Sequence, residues 1–427
     1  MSQTIHRFVA LDVHKSYVVV GALDTRQEVV LHPRRVSLLQ LDGWAKKHLK
    51  PTDAIVLEAT SNAWYIHDLL EPLVARVMVA NPYLVKLIAA SFVKTDKRDT
   101  LVLARLLQAN IIPEVWVPPP HVRELRALVS HRRRLVSQRT AAKNRLWSVL
   151  MRHNIMPPAG QVFSTTHRDF WERLPISSSE ELRTRQDVAI IDHISPLIEE
   201  VDKELACLSA EETWAPQAAF LVQLPGMGLL TAMTLLGAIG DITRFASAKK
   251  LVGYSGMGSR VYDSGQTHRT GRITKQGRRE VRSVMIEAAW VAVRRHPFWK
   301  AKFERLEDRI GKQKAIVAIA RKLLVVVWHV LTAQVADRQA DPRAVACSLM
   351  TWATRYGLAT SLGMPRAAFV RRELDRLGIG QAMNQFQYNG YDYHFPLPMA
   401  ATVTEQEAAA GGKLLAVRQR NTVPSPL

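Results

Sequence analysis

Three short apolar or β-branched runs, residues 7–13, 16–23 and 27–31, open the chain with polar or turn residues between them. That punctuation predicts strands joined as a meander. A helical period follows over 38–48, then a strand over 54–58, a helix around 64–70 and a strand over 75–80. Asn81-Pro82 breaks the pattern, and helical spacing resumes over 83–92 and 95–110. Three strands and then alternating helix and strand predict a mixed α/β sheet.

Pro118-Pro119-Pro120 marks a boundary. Beyond it, residues 121–156 predict one long helix with nine Lys/Arg, a single acid (Glu124) and a stripe of Leu125, Leu128, Leu135, Leu146, Val149 and Leu150. A second helix over 178–208 carries Ile190, Ile194, Leu197, Ile198, Val201 and Leu205. Two such stripes pair as a helical hairpin or as a coiled coil between subunits. From 218 to 336 the chain reads as Ala- and Leu-rich helices around a glycine-rich polar loop at 253–277. Residues past 341 look globular, and those from 385 on loop-like and partly disordered. The expected domains are therefore 1–117, 118–215, 216–340 and a C-terminal extension, 341–427.

Composition narrows the partners. Among 427 residues, 47% are hydrophobic and 22% charged, enough for real cores. Lys and Arg number 58 against 38 acids, a net charge of +20 that points to a polyanion, nucleic acid before membrane. Cys207 and Cys347 are too few for a disulfide scaffold or a cysteine zinc site, and fit a reducing cytoplasm. The N-terminus has no signal-peptide pattern, and no stretch reads as a membrane span; the best approximation, 220–239, is broken by Gln223, Pro225 and glycines.

Four acids stand where an acid is costly or deliberate. Asp12 interrupts an apolar strand and Glu58 ends another, while Asp96 and Asp99 open a helix in Lys94-Thr-Asp-Lys-Arg-Asp-Thr100. Spacing i, i+3 sets the last two on one helical face. In a sheet whose first and fourth strands are neighbours, Asp12 and Glu58 meet at one edge with that helix across them. Each acid alone is explained as a strand-end residue or as a helix-start acid favoured by the dipole. Together they would raise one another's pKa, and divalent cations resolve the conflict. Mg²⁺ takes hard oxygen ligands, and a pair about 4 Å apart clamps the attacking and leaving oxygens of phosphoryl transfer. The order of elements is that of the ribonuclease-H-like fold.

Residues 224–240 read as a helix–hairpin–helix pattern around Pro225-Gly226-Met227-Gly228. Gly226 and Gly228 let backbone amides approach a phosphate, although an ordinary turn between helices explains the same residues. From 259 to 282, seven Lys/Arg face two acids with glycines between them. Arg269, Arg272, Lys275 and Arg278 there fit a phosphate backbone, or else a solvated basic loop. Ser264, before Gly265, is a candidate nucleophile, with Ser259 and Ser255 as reserves. A hydroxyl needs an activator, and the spacing shows none; His268 is near in sequence, with a plain surface residue as the alternative reading. On the basic helix, Arg132, Arg133, Arg134, Arg139, Lys143 and Arg145 would clamp RNA or DNA and help dimerise.

In this order the motifs resemble the DEDD-type transposases of the insertion sequence 110/1111 group, which include RNA-guided recombinases. The resemblance spans roughly 7–335 and rests on Val9-Ala-Leu-Asp12-Val-His-Lys, Leu57-Glu58-Ala-Thr, Ala80-Asn-Pro82, Lys94-Thr-Asp96-Lys-Arg-Asp99, Leu224-Pro-Gly-Met-Gly228, and Ser264-Gly265 followed by Gly271-Arg-Ile-Thr-Lys-Gln-Gly277. It implies a RuvC-like N-terminal nuclease domain, a coiled-coil middle, and a mainly α transposase domain supplying a serine. Asp12, Glu58, Asp96 and Asp99 would bind Mg²⁺, Ser264 would link covalently to DNA, and subunits of a dimer or tetramer would share the site. A noncoding RNA would pair with donor and target DNA. Thr100 stands where the family usually carries alanine, and Asp263 where it often carries a small polar residue. The expectation is a DNA transposase/recombinase at the nucleoid of a bacterial cytoplasm. The alternatives are a metal-dependent Holliday-junction-type endonuclease that uses the acids alone, and a non-catalytic nucleic-acid-binding protein.

Overall fold

Strands β1 (Arg7–Val13), β2 (Tyr17–Asp24) and β3 (Val29–Ser37) form the meander that the apolar runs predict. The computed structural model describes residues 4–88, 95–264, 267–396 and 419–420. β3 continues well past 31, because Val36 and Arg35 still pair with Val18 and Val19 of β2. Past Leu31 its exposed residues, His32, Arg34 and Arg35, are polar, as on an edge strand, so the apolar run ends before the strand does. After α1 (Leu41–His48) come β4 (Asp53–Glu58), α2 (Ala63–Leu70), β5 (Arg76–Ala80), α3 (Pro82–Ile88) and α4 (Asp96–Gln108). The end of the helix predicted over 83–92 lies outside the described residues. Strand order is β3-β2-β1-β4-β5, with β1 antiparallel to β2 and parallel to β4.

Period two divides each strand between two cores. Val9, Leu11, Ile55 and Leu57 pack with Leu41, Ile66 and Leu70 of α1 and α2. Ala10, Ala54, Val56 and Met78 pack with Leu103, Ala104 and Leu107 of α4. Asp12 and Glu58 continue the second series, so both belong to the α4 face.

At the other end of β1, Arg7 holds Asp53, whose side chain is 0% exposed, through Nε at 3.0 Å and Nη2 at 2.5 Å. The Lys50 amide donates to the same carboxylate at 2.8 Å. Removing one member of a buried pair strands the other, so Asp53→Ala is expected to cost about 3–5 kcal/mol. Denaturant unfolding measures it; a loss under about 1 kcal/mol, the surface range, would contradict the buried-pair account.

Contacts divide the chain into two units, residues 1–119 and 120–427. In the second, α5 (Pro120–Arg152) and, after the short α6 (Arg168–Glu172), α7 (Ser178–Ala210) pair antiparallel within one chain. Ile191, Ile194, Ile198, Val201 and Leu205 of α7 are buried, at alternating steps of three and four. Ile190, expected in the stripe, falls off that seam and is 37% exposed. Then follow α8 (Ala215–Val222), α9 (Leu229–Ile239) and α10 (Ala248–Tyr254). The stretch expected to be a loop contains a two-stranded ribbon, β6 (Ser259–Ser264) with β7 (Thr267–Ile273). β6 is exposed along nearly its whole length, so no apolar alternation announces it.

Helices α11 (Arg279–Arg295), α12 (Pro297–Ile310) and α13 (Lys312–Ala333) complete this core. By length and composition α13, with mean hydropathy 1.9, is apolar enough to cross a membrane, contrary to the expectation of no such stretch. It packs against α10, α11 and α12 with half of its apolar window buried, which makes it a core helix here. Helices α14 (Pro342–Arg355), α15 (Leu358–Ser361) and α16 (Arg366–Leu377) pack against α7 and α8. The chain from 385, expected to be loop, forms a hairpin of β8 (Gln385–Tyr388) and β9 (Tyr391–His394), with β10 (Gln419–Arg420) beside β9. Asn389 and Gly390 at its turn have φ of 51° and 77°, the conformation that Asn-Gly favours between strands.

Candidate metal centre and serine-bearing ribbon

β1 carries Asp12 to the end of the sheet, and His14 follows two residues later on the same side. α4 starts at Asp96 because Thr95 caps it, its side chain accepting from the Arg98 amide at 3.3 Å. Asp96 and Asp99 thus lie in the first turn, where the helix dipole favours carboxylates. Buried Thr100 seats the helix: its hydroxyl donates to Asp96 O at 2.7 Å. Its methyl fills space beside Gly21, where an added Cβ would come within 3.2 Å. A threonine in place of alanine therefore leaves no unsatisfied hydroxyl.

Asp12, His14 and Asp96 each bring one donor atom into a group spanning no more than 4.8 Å. His14 Nε2 lies 3.3 Å from Asp12 Oδ2 and 3.5 Å from Asp96 Oδ2. That nitrogen is buried and aligned for a hydrogen bond with neither oxygen. Burial raises the Asp12 pKa above its ordinary value, the charges of Asp96 and Asp99 raise it further, and His14 opposes them. Glu58 ends β4 on the same face, one position beyond the Leu11–Leu57 pair, and so stands beside Asp12 at the strand ends. Neither Glu58 nor Asp99 belongs to the 4.8 Å group.

His14 is the residue that motif reading passed over, although its i, i+2 relation to Asp12 could have marked it. Tyr17 stacks on its ring at 4.4 Å, and Arg35 lies 4.6 Å over Tyr17 while reaching Asp96 at 3.7 Å. Two carboxylates and a buried imidazole nitrogen lacking a hydrogen-bond partner among the described residues fit a divalent cation.

The predicted nucleic-acid contacts divide into two groups. Arg132 pairs with Asp202, and Arg145 with Asp187 at 2.5 Å, both acids on α7. Arg133 is 3.7 Å from Glu280, and Lys143 sits 5.1 Å from the Phe163 ring centre. Arg278 is half-buried, donating to the Tyr254 hydroxyl at 2.9 Å and to Glu280 at 3.0 Å. Beside it Arg126 donates to Gly237 O and Ala238 O; burial, with Arg278 and Arg244 crowding it, brings its pKa down to about 10. These side chains hold helices together. Arg134, Arg269, Arg272 and Lys275 are exposed, and Arg139 partly so.

Gly226 has a φ of 82°, and a Cβ there would stand 2.2 Å from Ala288 O, so the turn is glycine because α11 crosses it. Gly228, at the N-cap of α9, has nothing within 4 Å of an added Cβ. Ser264 ends β6 exposed, opposite Thr267. Gly265 and the side chain of His268 lie outside the described residues. Ser255 is buried, its hydroxyl donating to Val252 O at 2.7 Å, whereas Ser259 sits at the base of the ribbon opposite Ile273.

Two family models match the chain: a DEDD transposase model over residues 9–155 and the IS116/IS110/IS902 transposase model over 218–304. A pilin gene-inverting protein of Moraxella bovis is 27% identical, the match covering 78% of this chain and 96% of that one. The transposase of insertion sequence element IS1111A from Coxiella burnetii is 24% identical over 77% of this chain and 90% of its own. That of IS1328 from Yersinia enterocolitica is 24% identical over 76% and 96%.

Proposed function

Because this chain belongs to the IS116/IS110/IS902 family of transposases, enzymes that act on DNA, we propose that it cuts and rejoins DNA by a covalent serine mechanism assisted by an acid-held metal. The observation that carries this reading is the convergence of Asp12, Asp96 and His14 around a buried imidazole nitrogen that has no hydrogen-bond partner among the described residues. The strand order supports a ribonuclease-H-like, RuvC-like domain over 1–117. The helical pair belongs to a coiled-coil segment, 118–215, and the serine to a transposase domain, 216–340, followed by the extension 341–427.

Asp12 and Asp96 would hold Mg²⁺, with Glu58 and Asp99 completing the set for a second ion. A divalent cation held there would supply positive charge to offset that on the attacking and leaving oxygens of the phosphodiester. Ser264 Oγ attacks phosphorus, the deoxyribose oxygen leaves with the electrons of the broken P–O bond, and the serine proton ends on that oxygen, giving a free strand hydroxyl. The phosphoserine keeps the ester, and a strand hydroxyl reverses the step to rejoin the DNA and free the serine. A relative named for inverting a gene supports this conservative chemistry over hydrolysis.

The net charge of +20 supports a noncoding guide RNA and both donor and target DNA as ligands of a homo-oligomer acting at the nucleoid. RNA recovered with the purified protein and sequenced is expected to map beside the reading frame inside the mobile element. Replacing Arg134 and Arg139 by Gln is expected to lower the salt dependence of RNA binding by about 0.7–0.9 per residue. Arg132→Gln, which leaves Asp202 unpaired, acts mainly on stability. An unchanged salt slope in the first variant would remove this helix from the interface.

A further inference from the structure

The ribbon that bears Ser264 has a second feature that the serine chemistry does not use. Alternate residues of a strand, and directly opposed residues of an antiparallel pair, share a face. Tyr262 opposes Arg269 and Ser264 opposes Thr267, so Tyr262, Ser264 and Arg269 share one face; Val261 and Asp263 occupy the other. Tyr262 is 57% exposed. Its ring crosses to Gly271 on β7, where an added Cβ would come 3.1 Å from Cε2 and 3.4 Å from Arg260 Cβ. The glycine therefore leaves room for the phenol ring across the ribbon, where it is largely exposed, with Arg260 two residues before it on β6 and Arg269 opposite it on β7.

Resting on the reading of Ser264 as nucleophile, we propose that Tyr262 on Gly271 is a stacking platform for an unpaired base of the DNA strand that Ser264 cuts. Arg260 and Arg269 would hold the flanking phosphates. Two strand residues span about 6.8 Å, the rise of two stacked bases, so a base on Tyr262 sets the phosphate register at the serine. A π face accepts any base, so the platform requires an unpaired nucleotide rather than a particular sequence. A second copy of this chain is a poorer occupant, since two-fold packing of this face would bring arginines against arginines.

The test uses full-length Ser264→Ala protein in EDTA, where neither a serine nor an acid-held metal can cut the bound DNA, so that failure of the serine mechanism does not affect the result. Oligonucleotides from the element's end, paired or with a short unpaired bubble, carry 2-aminopurine at successive positions. One bubble position is expected to be quenched on binding. Adding Tyr262→Ala should abolish that quenching and weaken bubble binding about 5- to 100-fold, with paired DNA unaffected. Tyr262→Phe should retain both, and Gly271→Ala, which fills the ring's seat, should reduce them. Quenching that survives Tyr262→Ala, or that never occurs, overturns the proposal. So does equal loss on paired and unpaired DNA, or a Tyr262→Ala effect confined to the sedimentation mass.

Discussion

Replacing Asp12 by Asn is expected to lower strand exchange by about a thousandfold or more, with DNA affinity nearly unchanged. The side chain keeps its shape and loses the charge that would hold the cation, so the loss falls on chemistry rather than on folding. Metal-free stability should move the other way. Asp12 has a raised pKa when folded, so its favourable contribution is complete below its ordinary value of 3.8 and is lost as pH rises through the folded value. The asparagine variant has no such loss, and in EDTA above that range it should melt no lower than wild type. Divalent cation should then raise the wild-type melting temperature and leave the variant's unmoved. Equal metal-induced shifts in both proteins would show that the cation binds elsewhere.

Ser264→Ala is expected to abolish both strand exchange and the denaturation-resistant protein–DNA adduct. The residue is exposed at a strand end, so stability should change by no more than about 0.5 kcal/mol. Binding to element ends should persist, because the cations around the serine are untouched. The alternatives separate cleanly in this experiment. A nuclease that uses the acids alone would still cut with alanine at 264 and would never form the adduct. A non-catalytic binding protein would cut with neither residue. Ser255 offers little escape, since its hydroxyl is buried and bonded within its own turn.

Several elements were readable before any fold was known, and the failures have separate causes. The meander and the alternating helices follow from apolar period alone, because their strands are buried on one or both faces. The β6–β7 ribbon left no such trace, since a strand with little buried surface needs no apolar alternation. The β8–β9 hairpin did leave one, in Asn389-Gly390, a local signal that polar composition masked. The helix stripes were nearly right, with Ile190 misplaced by one residue against the seam that contact with α5 selects.

What the sequence by itself determined is the covalent inventory and its periodicity: acids at strand ends and a helix start, a serine in a basic glycine-flanked stretch, and a charge suited to a polyanion. Periodicity is local, and it survives translation into faces. Only tertiary structure decided which charges remain available for a ligand. Arg132, Arg145 and Arg278 look in sequence like Arg134 and Arg269, yet the first three meet acids or a half-buried tyrosine. Tertiary structure also brought His14 between Asp12 and Asp96, residues 84 positions apart in the chain. The physical reason is that an ionised side chain's role depends on what lies within about a Debye length in space, and sequence separation carries almost none of that information.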